Sequence, residues 1–468
     1  VRVLVVPACG GGIVSDYMDF IRSKAQWKHG DGFIEENLPE WLFGFQSFLT
    51  GWALLKGRAL IAADCGLGKT AMQLAWGDAI VRRTNKPVLL LTPIAVGQQT
   101  IAEATKFGVD AVRSRDGKFD GSVRIVVTNY EQLHKFDSSM FSGVIADESS
   151  CIKDAKSERK ALVTEFMRTI QYRLLCTATA APNDFWELGT SSEALGLLGF
   201  RDMITTFFKQ ETSKDHHGWG RTKYRFRGHA EHHFWAWVCS WARSMRMPSD
   251  LGFSDDGFKL PGVDQREYVV DTAKKRDGYL MALPGGDLNE QRAERRNSIP
   301  ERCEKAAEVV EAHKGCSVVW CELNEEGDML RRLIPNSVEV KGSMSDDEKE
   351  EALVGFSTGE IERLIIKPKI GAWGLNWQHC HNSIHLPSHS YEQFYQSFRR
   401  FYRFGQKEIV KCSIIVNEGE TGVLKSIQRK AAQTDQMFAS IVQHMKDEMH
   451  VATRDIVFTE RELIPSWL

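Results

Sequence analysis

Leu60-Ile-Ala-Ala-Asp-Cys-Gly-Leu-Gly-Lys-Thr70 is the stretch on which the reading of this chain turns. Its apolar start has the texture of a strand buried on both faces. Gly66 and Gly68 then allow a tight loop whose backbone N–H groups can approach phosphate oxygens. A helix opening at Lys69-Thr70 would bring its positive N-terminal end to the same phosphates. In such a loop Lys69 reaches the β- and γ-phosphates of a nucleotide, and the Thr70 hydroxyl binds magnesium. Ala63 stands where the first glycine is usual, giving the form Ala-x-x-Gly-x-Gly-Lys-Thr. A plain glycine turn before Lys-Thr is the other reading, and the flanking strand and helix argue against it.

A phosphate loop needs a carboxylate at the tip of a neighbouring strand. Gly143-Val-Ile-Ala-Asp147-Glu148-Ser149-Ser150 supplies one. There Asp147 can hold magnesium through its shell, and Glu148 can orient and deprotonate an attacking water. Alone, adjacent acids after a strand could be a helix cap. Together with the phosphate loop they read as catalytic.

Two blocks of short Val/Ile/Leu-rich strands separated by helical stretches surround these motifs, the pattern of parallel α/β architecture. The first holds Ala59–Ala63, Val88–Thr92, Val123–Thr128, Val144–Ala146 and Arg173–Cys176. The second holds Ser317–Cys321, Val338–Val340, Leu364–Lys367, Ser383–Leu386 and Cys412–Val416. The expected fold is α/β: two tandem RecA-like parallel-sheet lobes, an ATP cleft between them, and an inter-lobe insertion. Expected bounds are an N-terminal extension over 1–37, with 1–17 peripheral, and lobe 1 over 38–200. A basic, aromatic insertion and linker follows over 201–262, then lobe 2 over 263–425 and a C-terminal helix and tail over 426–468, helical through Met445.

The 468 residues allow two to three domains. Net charge is −2, from 60 Lys+Arg against 62 Asp+Glu, so any nucleic-acid signal must be local. No run of eighteen apolar residues occurs, and no membrane partner is expected. Ten cysteines without a Cys-x-x-Cys pair suit a reducing cytoplasm.

Further motifs follow in a fixed order. Leu42-Phe-Gly-Phe-Gln46 precedes the phosphate loop, and Leu175-Cys-Thr177-Ala-Thr179-Ala-Ala-Pro-Asn183 follows the acids. Gly371-Ala-Trp-Gly374-Leu-Asn376 and Gln396-Ser-Phe-Arg399-Arg400-Phe-Tyr-Arg403-Phe-Gly405-Gln406 lie in the second block. Over residues 38–416 the chain resembles superfamily-two helicases, and within them the Swi/Snf-type double-stranded DNA translocases. The resemblance implies that Gln46 reads the adenine edge, although a solvent-facing helix glutamine would look alike. It implies coupling between nucleotide and nucleic acid for Thr177, Thr179, Gly374, Asn376 and Gln396. Arg400 and Arg403, at i and i+3 on one helical face, fit arginine fingers reaching the γ-phosphate from lobe 2. Arg399, off the pattern, could hold nucleic-acid phosphate. Ser150 replaces the His or Asp of many members, though its hydroxyl could still hydrogen-bond. Lys153 fits the remodeller-like pattern or an exposed helix lysine.

Between Lys209 and Arg227 six Lys/Arg face two acids, Glu211 and Asp215, with Trp219, Tyr224 and Phe226 interleaved. That composition suits phosphate and base contact or a solvated basic loop. His216, His217, His229, His232 and His233 match no standard zinc spacing. Arg243 and Arg246 resemble the family's crossover arginines or dock one lobe on the other. No strand-separating pin is legible.

The leading expectation is an ATP hydrolase acting as a nucleic-acid translocase, with ATP and Mg2+ and, by the resemblance, double-stranded DNA as partner. An RNA helicase, or a nucleotide-gated binding module with vestigial hydrolysis, are the alternatives. The compact form resembles helicase-like proteins of bacteriophages and prokaryotes.

Overall fold

The computed structural model describes residues 32–119, 125–181, 184–214, 220–271, 288–371, 376–388 and 390–455. Residues 1–17, expected to be peripheral, lie outside them.

Each run of β-branched and aliphatic residues becomes a strand because it is covered on both faces. The first sheet contains β1 (Arg58–Ala63), β2 (Val88–Thr92), β3 (Ala111–Arg113), β4 (Ile125–Asn129), β5 (Gly143–Asp147) and β6 (Tyr172–Thr177). Val88–Thr92 and Gly143–Asp147 are buried throughout. A hairpin, β7 (Phe208–Lys214) and β8 (Gly220–Phe226), follows, and then β9 (Ala242–Met245). All neighbouring strands are parallel in the order β3-β4-β2-β5-β6-β1-β9.

The second sheet contains β10 (Val263–Val270), β11 (Ser317–Trp320), β12 (Ser337–Val340), β13 (Arg363–Ile366), β14 (Asn382–His385) and β15 (Val410–Asn417). Its order is β10-β15-β14-β11-β13-β12, again parallel throughout. Two parallel sheets, each carrying helices on both faces, make the two tandem RecA-like lobes that the sequence implied. Among the described residues no helix is long and apolar enough to cross a membrane.

The stretch 201–262, read from sequence as a crossing insertion, is built into the first lobe. β9 pairs with β1, Leu60 opposite Ala242. Met203, Phe207, Phe208, Phe234, Trp235, Trp237 and Phe258 all join that lobe's core. Its aromatic texture is therefore core packing. Phe226 stacks on Phe208 at 4.7 Å between ring centroids, and Tyr224 packs against Trp186 at 5.6 Å. Trp219, His216 and His217 lie outside the described residues.

The C-terminal helix runs over Thr421–Asp455, past Met445. Val423 and Ile427 pack in lobe 2 against Tyr391. Further along, Met437, Phe438, Ile441 and Met445 are buried in the core of lobe 1. Arg246 holds this helix, pairing with Asp435 at 2.6 Å and covering the Phe438 ring at 4.3 Å. Arg243 is buried on β9 with its guanidinium 4.5 Å from the Trp52 ring. Arg246 thus docks the C-terminal helix, whereas Arg243 packs within lobe 1 and does not dock one lobe on the other. On the opposite side Arg113 and Arg115 of lobe 1 share Glu350 of lobe 2, at 3.2 and 3.3 Å.

Candidate nucleotide site between the lobes

β1 ends at Ala63, and the helix Lys69–Thr84 begins six residues later with Gly68 as its cap in the left-handed conformation. Gly66 and Gly68 have φ of +88° and +75°, where an L side chain is strained. Space is also short. A Cβ on Gly66 would stand 2.6 Å from the Phe404 backbone nitrogen and 3.2 Å from the Arg403 Cβ. The arginine segment of lobe 2 therefore lies directly against the phosphate loop. Lys69 Nζ donates to the Ala63 carbonyl at 2.9 Å and the Asp64 carbonyl at 3.3 Å. Gln46 is buried, not solvent-facing: its Oε1 accepts from the Phe43 N–H at 3.0 Å, and its Nε2 donates to the Leu67 carbonyl at 3.0 Å. It clamps the loop to the segment before it.

Asp147 ends β5, where the Gln73 amide donates to its Oδ1 at 2.7 Å and the Tyr130 hydroxyl to its carbonyl at 2.6 Å. Burial, with the Glu148 charge beside it, pushes the Asp147 carboxyl up to about 6, against the pull of Gln73 and Lys69. Glu148 has φ +49° and ψ +51°, a left-handed backbone on a non-glycine residue, which costs about 1–2 kcal/mol. Such strain concentrates where a side chain must be aimed. Here the Thr177 hydroxyl meets Glu148 Oε2 at 3.5 Å and accepts from the Thr179 N–H at 3.0 Å. The Ser150 and Thr179 hydroxyls are buried with no hydrogen-bond partner among the described residues. The hydrogen bond that Ser150 could have made is thus not formed.

Thr70 and Asp147 offer one hydroxyl and one carboxylate. Magnesium, which keeps several waters and takes one or two carboxylates plus substrate phosphates, fits such a sparse oxygen set. A cation would also relieve the buried, crowded Asp147 carboxylate.

Lobe 2 contributes the helix Tyr391–Phe398 and the residues after it. Gln396 is fully buried; its side-chain oxygen accepts from Arg400 Nη2 at 3.1 Å, while its carbonyl accepts from Arg400 Nε at 3.0 Å. Burial lowers the Arg400 guanidinium, and the charges of Asp147 and Glu148 act on it from across the cleft. Burial and the neighbouring Arg400 push Arg403 down to about 10. Arg399 departs from the expectation of phosphate contact. It is buried and paired through Nη2 with Asp64 of the phosphate loop, and it donates to the Cys65 carbonyl at 3.3 Å. The Tyr395 hydroxyl donates to the other Asp64 oxygen at 2.5 Å. Lys153 is ion-paired across the lobes with Glu392, and burial pushes its ammonium down to about 8.

Lys69, Thr70, Asp147, Glu148, Gln46, Thr177, Gln396, Arg400 and Arg403 therefore gather around one cleft. Asn376 is exposed, and Gly374 lies outside the described residues. Sequence reasoning missed Gln73, Tyr130, Asp64 and Tyr395. Gln73 carried a signal, since it lies one turn beyond Lys69 on the same helix face. The others are brought in by tertiary packing.

No family model matches the chain. It is 21% identical over 474 residues to the "Putative ATP-dependent helicase/translocase YwqA" of Bacillus subtilis (strain 168), covering 86% of this chain. The chain spans about half the length of that curated relative, 50%. Among solved structures, a Dbp5 variant of S. cerevisiae bound to RNA and ADP BeF3 superposes with a TM-score of 0.54 at 12% identity. The superposition covers 89% of this chain and 100% of that one, which shows the fold in common. The chain is thus similar to helicase-type proteins, in sequence to one and in two-lobed fold to the other.

Proposed function

We propose that the chain hydrolyses ATP to move along nucleic acid. One observation carries this reading: the Lys69 loop and the Asp147–Glu148 acids of lobe 1 face the Arg400–Arg403 segment of lobe 2 across a single cleft. On this reading Lys69 and the glycine-loop amides bind the β- and γ-phosphates, and Gln46 sits at the adenine side. Glu148 orients the attacking water and accepts its proton. Arg400 and Arg403 spread the charge of the transferring phosphoryl group, an effect worth roughly 10³–10⁵ in rate for related NTPases. Magnesium, held by Thr70 and Asp147, would neutralise phosphate charge when bound. Because the arginines belong to the other lobe, hydrolysis depends on closure, and Thr177 links Glu148 to the segment beyond β6.

Double-stranded DNA is the partner we favour. The support is the Swi/Snf-type pattern of Lys153 and the Gly405-Gln406 ending, together with a relative described as a helicase/translocase. The RNA carried by the structural neighbour favours an RNA helicase as the second reading. ATP turnover with duplex DNA, single-stranded DNA, duplex RNA and single-stranded RNA over a salt series decides between them. Glu148→Gln is expected to lower stimulated turnover by about 10²–10⁴-fold, the usual weight of a general base, with nucleotide binding kept. Unchanged turnover in that variant would remove the motor reading.

A further inference from the structure

A carboxylate that holds magnesium has two oxygens, and the side chain beside it decides which one the metal meets. On Asp147 the Gln73 amide takes Oδ1, donating through Nε2 at 2.7 Å. That distance is at the short end for an N–H donor and belongs to the charge-assisted range. Both side chains are buried, Gln73 at 1% and Asp147 at 7% exposure, which shields the bond from water. The strand end beneath is held as well, by the Tyr130 hydroxyl on the Asp147 carbonyl. Other neighbours are poor substitutes. Lys69 Nζ is engaged by the Ala63 and Asp64 carbonyls. Cys176, opposite Asp147 across β5 and β6, brings only a weak thiol donor.

Helix geometry explains how a glutamine reaches the tip of a strand. Lys69, Thr70 and Gln73 all belong to the start of the helix Lys69–Thr84. Gln73 follows Thr70 by three residues and Lys69 by four, so the three share one face. Gly77, a turn further along that face, lets the helix lie close on the sheet. A Cβ there would stand 2.9 Å from Ile125 Cδ1 and 3.4 Å from Ile145 Cδ1. Ile145 is two residues before Asp147 on β5, so this close approach brings Gln73 level with the strand tip. One helix face thus carries the lysine for phosphate, the hydroxyl for magnesium and the amide for the carboxylate.

An amide suits that place because it donates without bringing a charge. A lysine would compete with a divalent cation for the carboxylate, a glutamate would repel it, and an apolar side chain would strand a buried oxygen.

We infer that Gln73 is a positioning residue for magnesium: its amide holds Oδ1 of Asp147 and so presents Oδ2 to the metal, while Gln73 itself touches neither metal nor nucleotide. This rests on the nucleotide reading of the cleft given above. Hydrogen-bonded partners of metal-ligating groups are worth about 10- to 100-fold in metal affinity.

The test uses the full chain as wild type, Gln73→Met, Gln73→Leu, Asp147→Asn and the double variant Gln73→Met with Asp147→Asn. Fluorescent ADP reports nucleotide affinity in EDTA. Mn2+, followed by electron paramagnetic resonance, reports metal uptake by the ADP complex, and neither measurement needs turnover. Both Gln73 variants should bind ADP in EDTA within about twofold of wild type and need about 10- to 100-fold more Mn2+ for half-saturation. In ATP turnover they should show the same rise in Mg2+ requirement, with the rate largely recovered at saturating Mg2+. On the Asp147→Asn background, Gln73→Met should add less than about twofold, because the glutamine acts through that carboxylate. Wild-type Mn2+ half-saturation in both Gln73 variants would overturn the inference and leave the nucleotide site standing. A parallel loss of ADP affinity in EDTA would also overturn it, since that marks a purely structural role. Failure of the wild type to bind ADP, with or without metal, would remove the nucleotide reading itself.

Discussion

Replacing Arg399 by methionine should loosen the two lobes. Arg399 and Asp64 are 7% exposed each, so their pair is shielded from solvent. Breaking a buried ion pair by removing one partner costs about 3–5 kcal/mol, because the other charge is left behind. Asp64 keeps two further donors, the Tyr395 hydroxyl at 2.5 Å and the Cys65 N–H at 2.6 Å. These hold part of its charge, so a cost of about 2–3 kcal/mol is the better figure. Both Arg399 and Tyr395 belong to lobe 2, and the loss falls on closure. At about 1.4 kcal/mol per decade, the closed-to-open ratio should drop roughly 30- to 150-fold. Energy transfer between dyes on the two lobes, without nucleotide, reads that ratio directly. Asp64→Asn alone should open the lobes as well, and the double variant should recover part of the loss, since neither charge is then stranded. A closed fraction unaffected by Arg399→Met, or a coupling energy in the double-mutant cycle below about 0.5 kcal/mol, would refute the reasoning.

Three further outcomes follow from buried groups. Glu326 is fully buried, pairs with Arg302 at 2.8 Å and accepts from the Glu322 and Leu323 N–H groups at 2.8 and 3.0 Å. Glu326→Gln should destabilise lobe 2 by about 3 kcal/mol, seen as a lower unfolding midpoint. Phe438 is 2% exposed between the core of lobe 1 and Arg246. Phe438→Ala should cost about 3–5 kcal/mol and loosen the C-terminal helix, read by hydrogen exchange along it. His385 is buried against Ser383, and desolvation pushes its imidazole down to about 3. The unfolded chain takes up this proton near 6.5 and the folded chain does not. Stability from this site is therefore present above about 6.5 and falls by about 1.4 kcal/mol per pH unit as pH drops toward about 3. Chemical denaturation across that range should show the slope in wild type and its loss in His385→Phe.

All ten strands anticipated from sequence are present, most of them because they are short apolar runs that a doubly covered parallel sheet can bury, while Val338-Glu339-Val340 is a half-buried edge strand. Those not anticipated have a different texture. Ala111–Arg113 is three half-buried residues at an edge. Val263–Val270 has only exposed and half-buried positions, as an edge strand protected by charge would. Ala-Arg-Ser-Met on β9 has no apolar period and is a strand only because β1 lies beside it. At the site, Lys69, Asp147 and Glu148 were legible because loop chemistry fixes their spacing. Arg399 was not: its partner Asp64 is 335 residues away in sequence, and only lobe packing brings the two together.

The helix Thr421–Asp455 starts in one lobe and finishes the interior of the other. Lobe 2 is thereby spliced, in chain order, into the middle of lobe 1. A ribosome that has delivered everything up to β10 has not delivered a complete domain. Met437, Phe438, Ile441 and Met445 are still to come, and each such side chain is worth about 1.5–3 kcal/mol when buried. Their sum rivals the whole margin of about 5–15 kcal/mol by which domains of this size stay folded. Nascent lobe 1 must therefore wait for the C-terminal helix to emerge, and a chain cut short before Met437 loses the integrity of lobe 1 rather than a dispensable tail.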